Sequence, residues 1–237
     1  MSAIVLAPAA ELLTHHRARR LTLPSCRSCC GNQNEKTAWT KIDRHYAAEA
    51  QLRAAVRMFF EGWHLVPIYT LANAAREVVA KIGEHLDVET VQEEVAKGRG
   101  IIVAEMVRPA IKTANFFKHA DRDPTAKTSL AENDVEIVLF LACHDFGRVA
   151  DGMPIELQVF EAWAYAATIK RVSDAPLRNQ QLIRRMIATF PGLRGAPNRA
   201  EQKKIGLKIM EQALLDRSLE MTIRREVPAK STKRTQA

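Results

Sequence analysis

The sequence predicts an all-α protein, a helical bundle with basic C-terminal helices and flexible termini. Three observations carry this expectation. Glycine and proline are scarce, at 10 each in 237 residues, whereas chains built from short strands and turns need many of both. Ala, Leu, Glu, Lys and Arg, the strongest helix formers, are abundant. From about residue 40 onward, apolar residues recur at three- and four-residue spacing, the signature of helices that bury one face. Hydrophobic residues make up 47% of the chain and charged residues 26%. That is enough for a sizeable core and ordinary for a soluble domain.

Residues 1–38 show no sustained periodicity and read as a flexible extension. The apolar "SAIVLAPAAELL" precedes the basic "HHRARR", the reverse of a secretory signal. The first helix is "KIDRHYAAEAQLRAAVRMFFEGW", with Ala48, Leu52, Ala55, Val56 and Phe59 on one face. Pro67 suits a first helical turn, and Ile68, Leu71, Ala72, Ala75, Val79 and Ile82 then mark a second helix. "VETVQEEVA" forms a short third, closed by "KGRG". A fourth runs from Ile101 toward His119 and carries Pro109, which is expected to kink it. In "ENDVEIVLFLACHDFGRVADG", Asn133 and Glu136 have the spacing of a capping box. Residues 137–142 are apolar all round, so this fifth helix should be the most buried. "MPIELQVFEAWAYAATIKR" is a sixth, with Phe160 and Trp163 as core aromatics. Two amphipathic helices follow, "LRNQQLIRRMIATF" and "NRAEQKKIGLKIMEQALLDR", the second capped by Asn198 and Glu201. The organisation expected is therefore a bundle over 39–171, a basic helical region over 172–226, and a disordered tail over 227–237, which lacks apolar periodicity.

The net charge of +8 is unevenly placed. Residues 41–170 carry 15 Lys/Arg against 19 Asp/Glu, whereas residues 171–237 carry 15 against 6. If bulk charge draws a polyanion or an acidic protein partner, the C-terminal third is the expected contact. Lys203, Lys204 and Lys208 on the last helix are the candidate nucleic-acid contacts there. No run approaches the roughly 18 consecutive apolar residues of a membrane span. No membrane association is therefore expected, and the expected location is the cytoplasm.

Cys26, Cys29 and Cys30 cluster in "PSCRSCCGN", with His15 and His16 upstream. Zinc sites need regular paired spacing, which is missing here, so free thiols are expected and no metal is assigned. Cys143 falls in an apolar helix and reads as a small core residue. A second metal reading, of "DRDPTAKTSLAE" as a calcium loop from Asp121 to Glu132, fails at Ala126. The sharp turn of such a loop requires glycine at that position.

One stretch, "KTANFFKHADRDP", residues 112–124, concentrates polar groups around two phenylalanines. On a helix, Arg108, Lys112, Asn115 and His119 are spaced by four, three and four residues and line one face. Val107, Ala110, Ile111, Ala114 and Phe117 then face the bundle. A histidine titrating near neutrality can take a proton from a 2′-hydroxyl or return one to the leaving oxygen. A neighbouring cation steadies charge building on the phosphate, and an amide orients the groups. Together they form the kit for cutting RNA without a metal or cofactor. The bland alternative is that His119 ends a helix, where a cation suits the dipole, and "ADRDP" is a polar turn.

The same stretch resembles the signature of the HEPN superfamily, all-α bundles found among prokaryotic toxins, abortive-infection proteins and other RNA-cutting systems. That motif is an arginine, usually followed by a polar residue such as Asn, then a histidine after four to six intervening residues. "ANFFKH" matches it at Asn115 and His119. The stretch also resembles a group of bacterial helical proteins that carry NF-F/L-KHADRDP. The likeness covers residues 40–165, and its specific part is about a dozen residues. It implies a metal-independent ribonuclease site of Lys112, Asn115 and His119 with Arg108 as an RNA contact, no cofactor, and a homodimer. Ala114 stands where the motif has arginine. Lys112 is the nearest substitute, and lysine lacks the planar fork that grips two phosphate oxygens. The implied activity is thus a degenerate, RNA-directed one. The competing expectation is a non-enzymatic adaptor whose basic C-terminal helices dock an acidic partner.

Overall fold

The computed structural model describes residues 41–216 apart from 120, 122, 170, 171 and 173–176. The expectations for residues 1–38, the three clustered cysteines and the tail after residue 226 lie outside the described residues. Within them the chain is all α: α1 (Arg44–Glu61), α2 (Leu65–Leu86), α3 (Val91–Arg99), α4 (Val103–Lys118), α5 (Glu132–Val149), α6 (Ile155–Thr168), α7 (Leu177–Thr189) and α8 (Arg199–Leu215). A short 3-10 turn, Leu193–Gly195, separates the last two.

The helix ends follow local chemistry. Asp43 caps α1 by accepting the Tyr46 N–H at 2.7 Å, and Gly62 closes it in the left-handed conformation that glycine adopts without strain. Thr90 and Glu93 form a reciprocal capping box on α3. Asn198 caps α8 through the Glu201 N–H, at 3.0 Å. The predicted Asn133 cap is not used. Helix α5 begins at Glu132, two residues earlier than that cap requires, and the Asp134 carboxylate accepts the Ala131 N–H. Two acidic residues in this first turn suit the positive end of the helix dipole. The other member of the predicted pair, Glu136, is held by Arg199 of α8.

Helices α1, α2, α5 and α6 carry most of the core. The predicted inner face of α1 is buried at Ala48, Leu52, Ala55, Val56 and Phe59, and α2 buries Ile68, Ala72, Ala75, Val79 and Ile82. Phe59, Phe60, Phe160 and Trp163 meet as a mainly edge-to-face cluster with centroids 5.3–6.0 Å apart, the geometry that aromatic quadrupoles favour. Helix α5 is the most buried, as its composition implied. Cys143 lies fully inside, where burial pushes its thiol pKa well up.

Helix α8 belongs to this core and is not a basic appendage. Its Gly206 lies against the Phe60 ring, and Met210 is buried in the same cluster that contains Ala48. The Trp163 indole N–H donates to the Gln202 carbonyl at 2.9 Å, and the Arg199 guanidinium lies 4.4 Å from the Trp163 ring centroid. Such a cation above an indole face contributes roughly 0.5–2 kcal/mol.

Candidate functional site

Helix α4 docks on α2 by a narrow face. Tyr69 donates its hydroxyl to the Ala110 carbonyl at 3.0 Å and meets the Phe117 ring edge-on at 6.0 Å. Lys118 reaches Glu77 of α2 at 3.8 Å. Ala114 is the one buried residue of α4, at 2% exposure. Val107, Ala110 and Phe117 are half-buried beside it, as expected. Ile111 departs from the expectation and is 38% exposed, because α4 is peripheral and only its narrow docking face meets other helices.

The outward face carries the predicted row. Arg108, Lys112 and His119 are exposed and Asn115 is half-buried between them. The helical positions of Arg108, Lys112 and Asn115 fall within one narrow arc on the side away from Ala114, and His119 follows just past the end of the helix in a non-helical conformation. Ile111 flanks this stripe on one side and Phe116, 36% exposed, on the other. His119 is the C-terminal cap, its backbone N–H bonded to the Asn115 carbonyl at 3.0 Å. Its side chain is 44% exposed, and its Nδ1 lies 3.9 Å from Asp121 Oδ1. That distance is too long for a direct hydrogen bond. The stripe can therefore present two fixed cations, an amide and an ionisable ring to a ligand, on an open convex surface.

The inward position of Ala114 bears on chemistry. An arginine at 114 would point into the α2–α4 contact, away from Lys112, Asn115 and His119. Within this helix, position 114 does not share a surface with the stripe.

The C-terminal candidates divide. Lys203 is buried, its Nζ 4.2 Å from the Phe59 ring centroid and paired with Glu132. It ties α8 to the start of α5 and is not offered to a ligand. Lys204 is exposed and paired with Glu201 at 2.8 Å, and Lys208 is exposed. The Lys203 pairing occupies Glu132, the carboxylate that a calcium loop would need at its last position. Asp123 is turned back on its own loop, accepting from the Thr125 N–H and hydroxyl at 3.1 and 3.0 Å.

Beyond His144, whose place after an apolar run reads as that of a satisfied core histidine, the fold assembles two groupings that the sequence did not reveal. The first is a buried polar junction where α2, α3 and α5 meet. Asp145 accepts the Val91 N–H at 2.6 Å, and Arg148 donates to the Glu89 carbonyl at 2.9 Å and to Glu94 at 2.6 Å. Arg76 bridges Asn73 and Gln92. Burial lifts the Asp145 carboxyl to about 6, against the opposing pull of the Val91 N–H and the neighbouring His144 and Arg148. Burial also lowers the Arg76 pKa. His144, next to Asp145, is buried, stacked on Phe140 and 2.8 Å from Glu161. These groups hold α3 in place, and α3 in turn packs on α4. The signal was present as charged residues three apart, Asp145 and Arg148, just after the apolar run of α5.

The second grouping is at the other end of α4. His64, Leu65, Val66, Phe117, Thr128 and Leu130 line a shallow pocket of about 240 Å³. The α1–α2 turn that supplies His64 also exposes Trp63, at 57%. Its trace in the sequence is the turn "EGWH", where an aromatic follows a helix-closing glycine. Compared with protein-family models, curated proteins and solved structures, the chain matches none of them.

Proposed function

We propose that this protein binds single-stranded RNA along the outer face of α4 and does not cleave it. The observation that supports this most is the shared exposed arc of Arg108, Lys112, Asn115 and His119, with Phe116 at its edge. Single strands are held by cations that track the phosphates and by aromatic rings that stack on bases, and this face offers both. The resemblance to HEPN proteins points the same way on ligand class.

Physical argument favours binding over cleavage. Proton transfer to and from a 2′-hydroxyl needs an acid and a base held around one phosphate, and water excluded from them. The stripe has one ionisable ring, on an open surface, and its nearest carboxylate is 3.9 Å from that ring. The motif's arginine has no counterpart on the stripe, since position 114 faces inward. Adaptor docking through the C-terminal region is the competing proposal. It retains the exposed Arg184, Arg185 and Lys208 but loses Lys203 to Glu132.

The test is incubation of the purified full-length chain with labelled single-stranded RNA in EDTA. The expected result is a salt-sensitive complex and intact RNA. Cleavage that disappears in His119→Ala would replace binding with catalysis at the same stripe. A complex formed equally well with an acidic polypeptide, and no preference for RNA, would transfer the proposal to the adaptor reading.

A further inference from the structure

The pocket between the α1–α2 turn and the end of α4 has the makings of a base-binding subsite. Its walls are mostly apolar: Leu65 and Val66 from the first turn of α2, Phe117 from α4, and Leu130 from the segment leading into α5. Two polar residues, His64 and Thr128, complete its lining. The His64 Nδ1 accepts the Val66 N–H at 3.3 Å as the cap of α2. In the tautomer that makes this bond, Nε2 carries the proton and is a donor. At about 240 Å³ the pocket falls below the ~300–1,000 Å³ typical of sites for drug-sized ligands. It has room for a small flat ring and not for a large cofactor.

Trp63 supplies the second observation. Indoles bury large areas and are rarely left more than half exposed. Trp63 immediately precedes His64, is 57% exposed, and has its N–H held by Glu61 at 2.8 Å, which fixes the edge of the indole while leaving the side chain largely open to solvent. An anchored, exposed aromatic beside a small apolar pocket is the arrangement that accepts stacked bases. The pocket lies at the C-terminal end of α4, the helix that carries the proposed phosphate stripe. Phe117 forms its wall, and Phe117 packs edge-on against Phe116 at 5.7 Å on the stripe's margin.

We infer that this pocket and Trp63 together receive one nucleobase of the RNA whose backbone lies along α4. The inference rests on the RNA-binding reading above. The base stacks on the indole, its edge meets the His64 Nε2–H and the Thr128 hydroxyl, and the adjoining phosphates pass to Lys112 and Arg108. No covalent step is involved.

Equilibrium binding of a single-stranded oligouridylate, across a range of salt, separates the two claims. Inorganic polyphosphate of similar charge is the base-free control. Because Trp63 is exposed, Trp63→Ala retains the fold, which its thermal midpoint checks. The variant is expected to bind oligouridylate about 5- to 100-fold more weakly at every salt concentration, the range expected for one lost stack. Its salt slope should stay unchanged, as should its affinity for polyphosphate. Unchanged oligouridylate affinity in Trp63→Ala would overturn the subsite, as would equal binding of polyphosphate and oligouridylate by the unaltered protein. The α4 reading has its own arm. If Trp63→Ala weakens binding while Arg108→Ala with Lys112→Ala does not, the subsite stands and the stripe falls. No binding of oligouridylate by the unaltered protein would overturn both.

Discussion

A single side chain decides how the resemblance to RNA-cutting proteins is to be used. Ala114 occupies the position of the motif's arginine, and it is buried in the core at 2% exposure. Restoring the motif by Ala114→Arg would force a long cation into a contact sized for a methyl group. Overpacking of this kind costs about 1–3 kcal/mol, and an unpaired buried charge adds to it. The variant should lose thermal stability markedly and gain no RNA cleavage, which melting curves and an EDTA cleavage assay read directly. Retained stability with new cleavage would show that α4 can rotate to present position 114.

Asp145 supplies a second test at the same scale. Its folded-state pKa, about 6, lies above the ordinary 3.8, because burial penalises the carboxylate. The folded chain therefore holds this proton more tightly than the unfolded chain does. The resulting stabilisation is fully present below pH 3.8 and is lost as pH rises through about 6. Asp145→Asn keeps an oxygen for the Val91 N–H and removes the charge. Relative to the wild-type protein, this variant should be more stable at pH 7, by on the order of 1 kcal/mol once the buried amide hydrogens are set against the lost carboxylate. The difference should shrink between pH 6 and pH 4. Urea midpoints at the three pH values check it, and a difference that does not vary with pH would mean that Asp145 titrates normally.

Among elements, α8 shows why composition misled. Its Lys203, Lys204 and Lys208 read as one basic surface, since sequence spacing gives no information about which neighbour a helix meets. In the fold, α8 crosses α1 and α6 with Lys203 turned inward to Glu132 and Phe59. Close approach to α1 depends on Gly206: a Cβ there would lie 2.3 Å from the Phe60 ring. Phe60 is itself locked against Phe59, Phe160 and Trp163 and cannot swing aside cheaply. Gly206→Ala should accordingly destabilise the protein by about 1–3 kcal/mol, despite alanine's better helix propensity. A stabilised variant would place α8 farther from α1 than described. Elements whose partners are adjacent in sequence were more legible. The inner faces of α1 and α2, the cap at Asn198 and the burial of α5 all follow from local periodicity and capping chemistry, whereas the third helix starts at Val91, three residues later than its periodicity suggests, with Thr90 as its cap. The Asn133 cap was not legible, because Glu136 is committed to Arg199, 63 residues away.

Across the whole molecule, the fold class could be read from the sequence, whereas the limits of the site could not. The helical face bearing Arg108, Lys112, Asn115 and His119 was predictable from spacing alone. That α4 is peripheral, that position 114 faces α2, and that a pocket opens between His64 and Phe117 all depend on contacts distant in sequence. The acidic balance of residues 41–170 likewise concealed a local basic stripe, because many of its carboxylates are committed to ion pairs, caps or buried hydrogen bonds elsewhere. Glu156 is held by Arg53, Glu136 by Arg199, Glu132 by Lys203, Glu94 by Arg148, and Asp145 by the Val91 N–H.

On the proposed reading, RNA phosphates are neutralised by Arg108 and Lys112 on α4. The direct measurement is the salt dependence of single-stranded RNA affinity for the wild-type chain and for the double variant Arg108→Ala/Lys112→Ala. Each phosphate contact on a single strand contributes roughly 0.7 to the slope of log affinity against log salt. Removing two exposed cations should flatten that slope by about 1.4 and weaken binding at low salt, with the thermal midpoint unchanged. An identical slope and affinity in the double variant would contradict the account and place any RNA contact off α4.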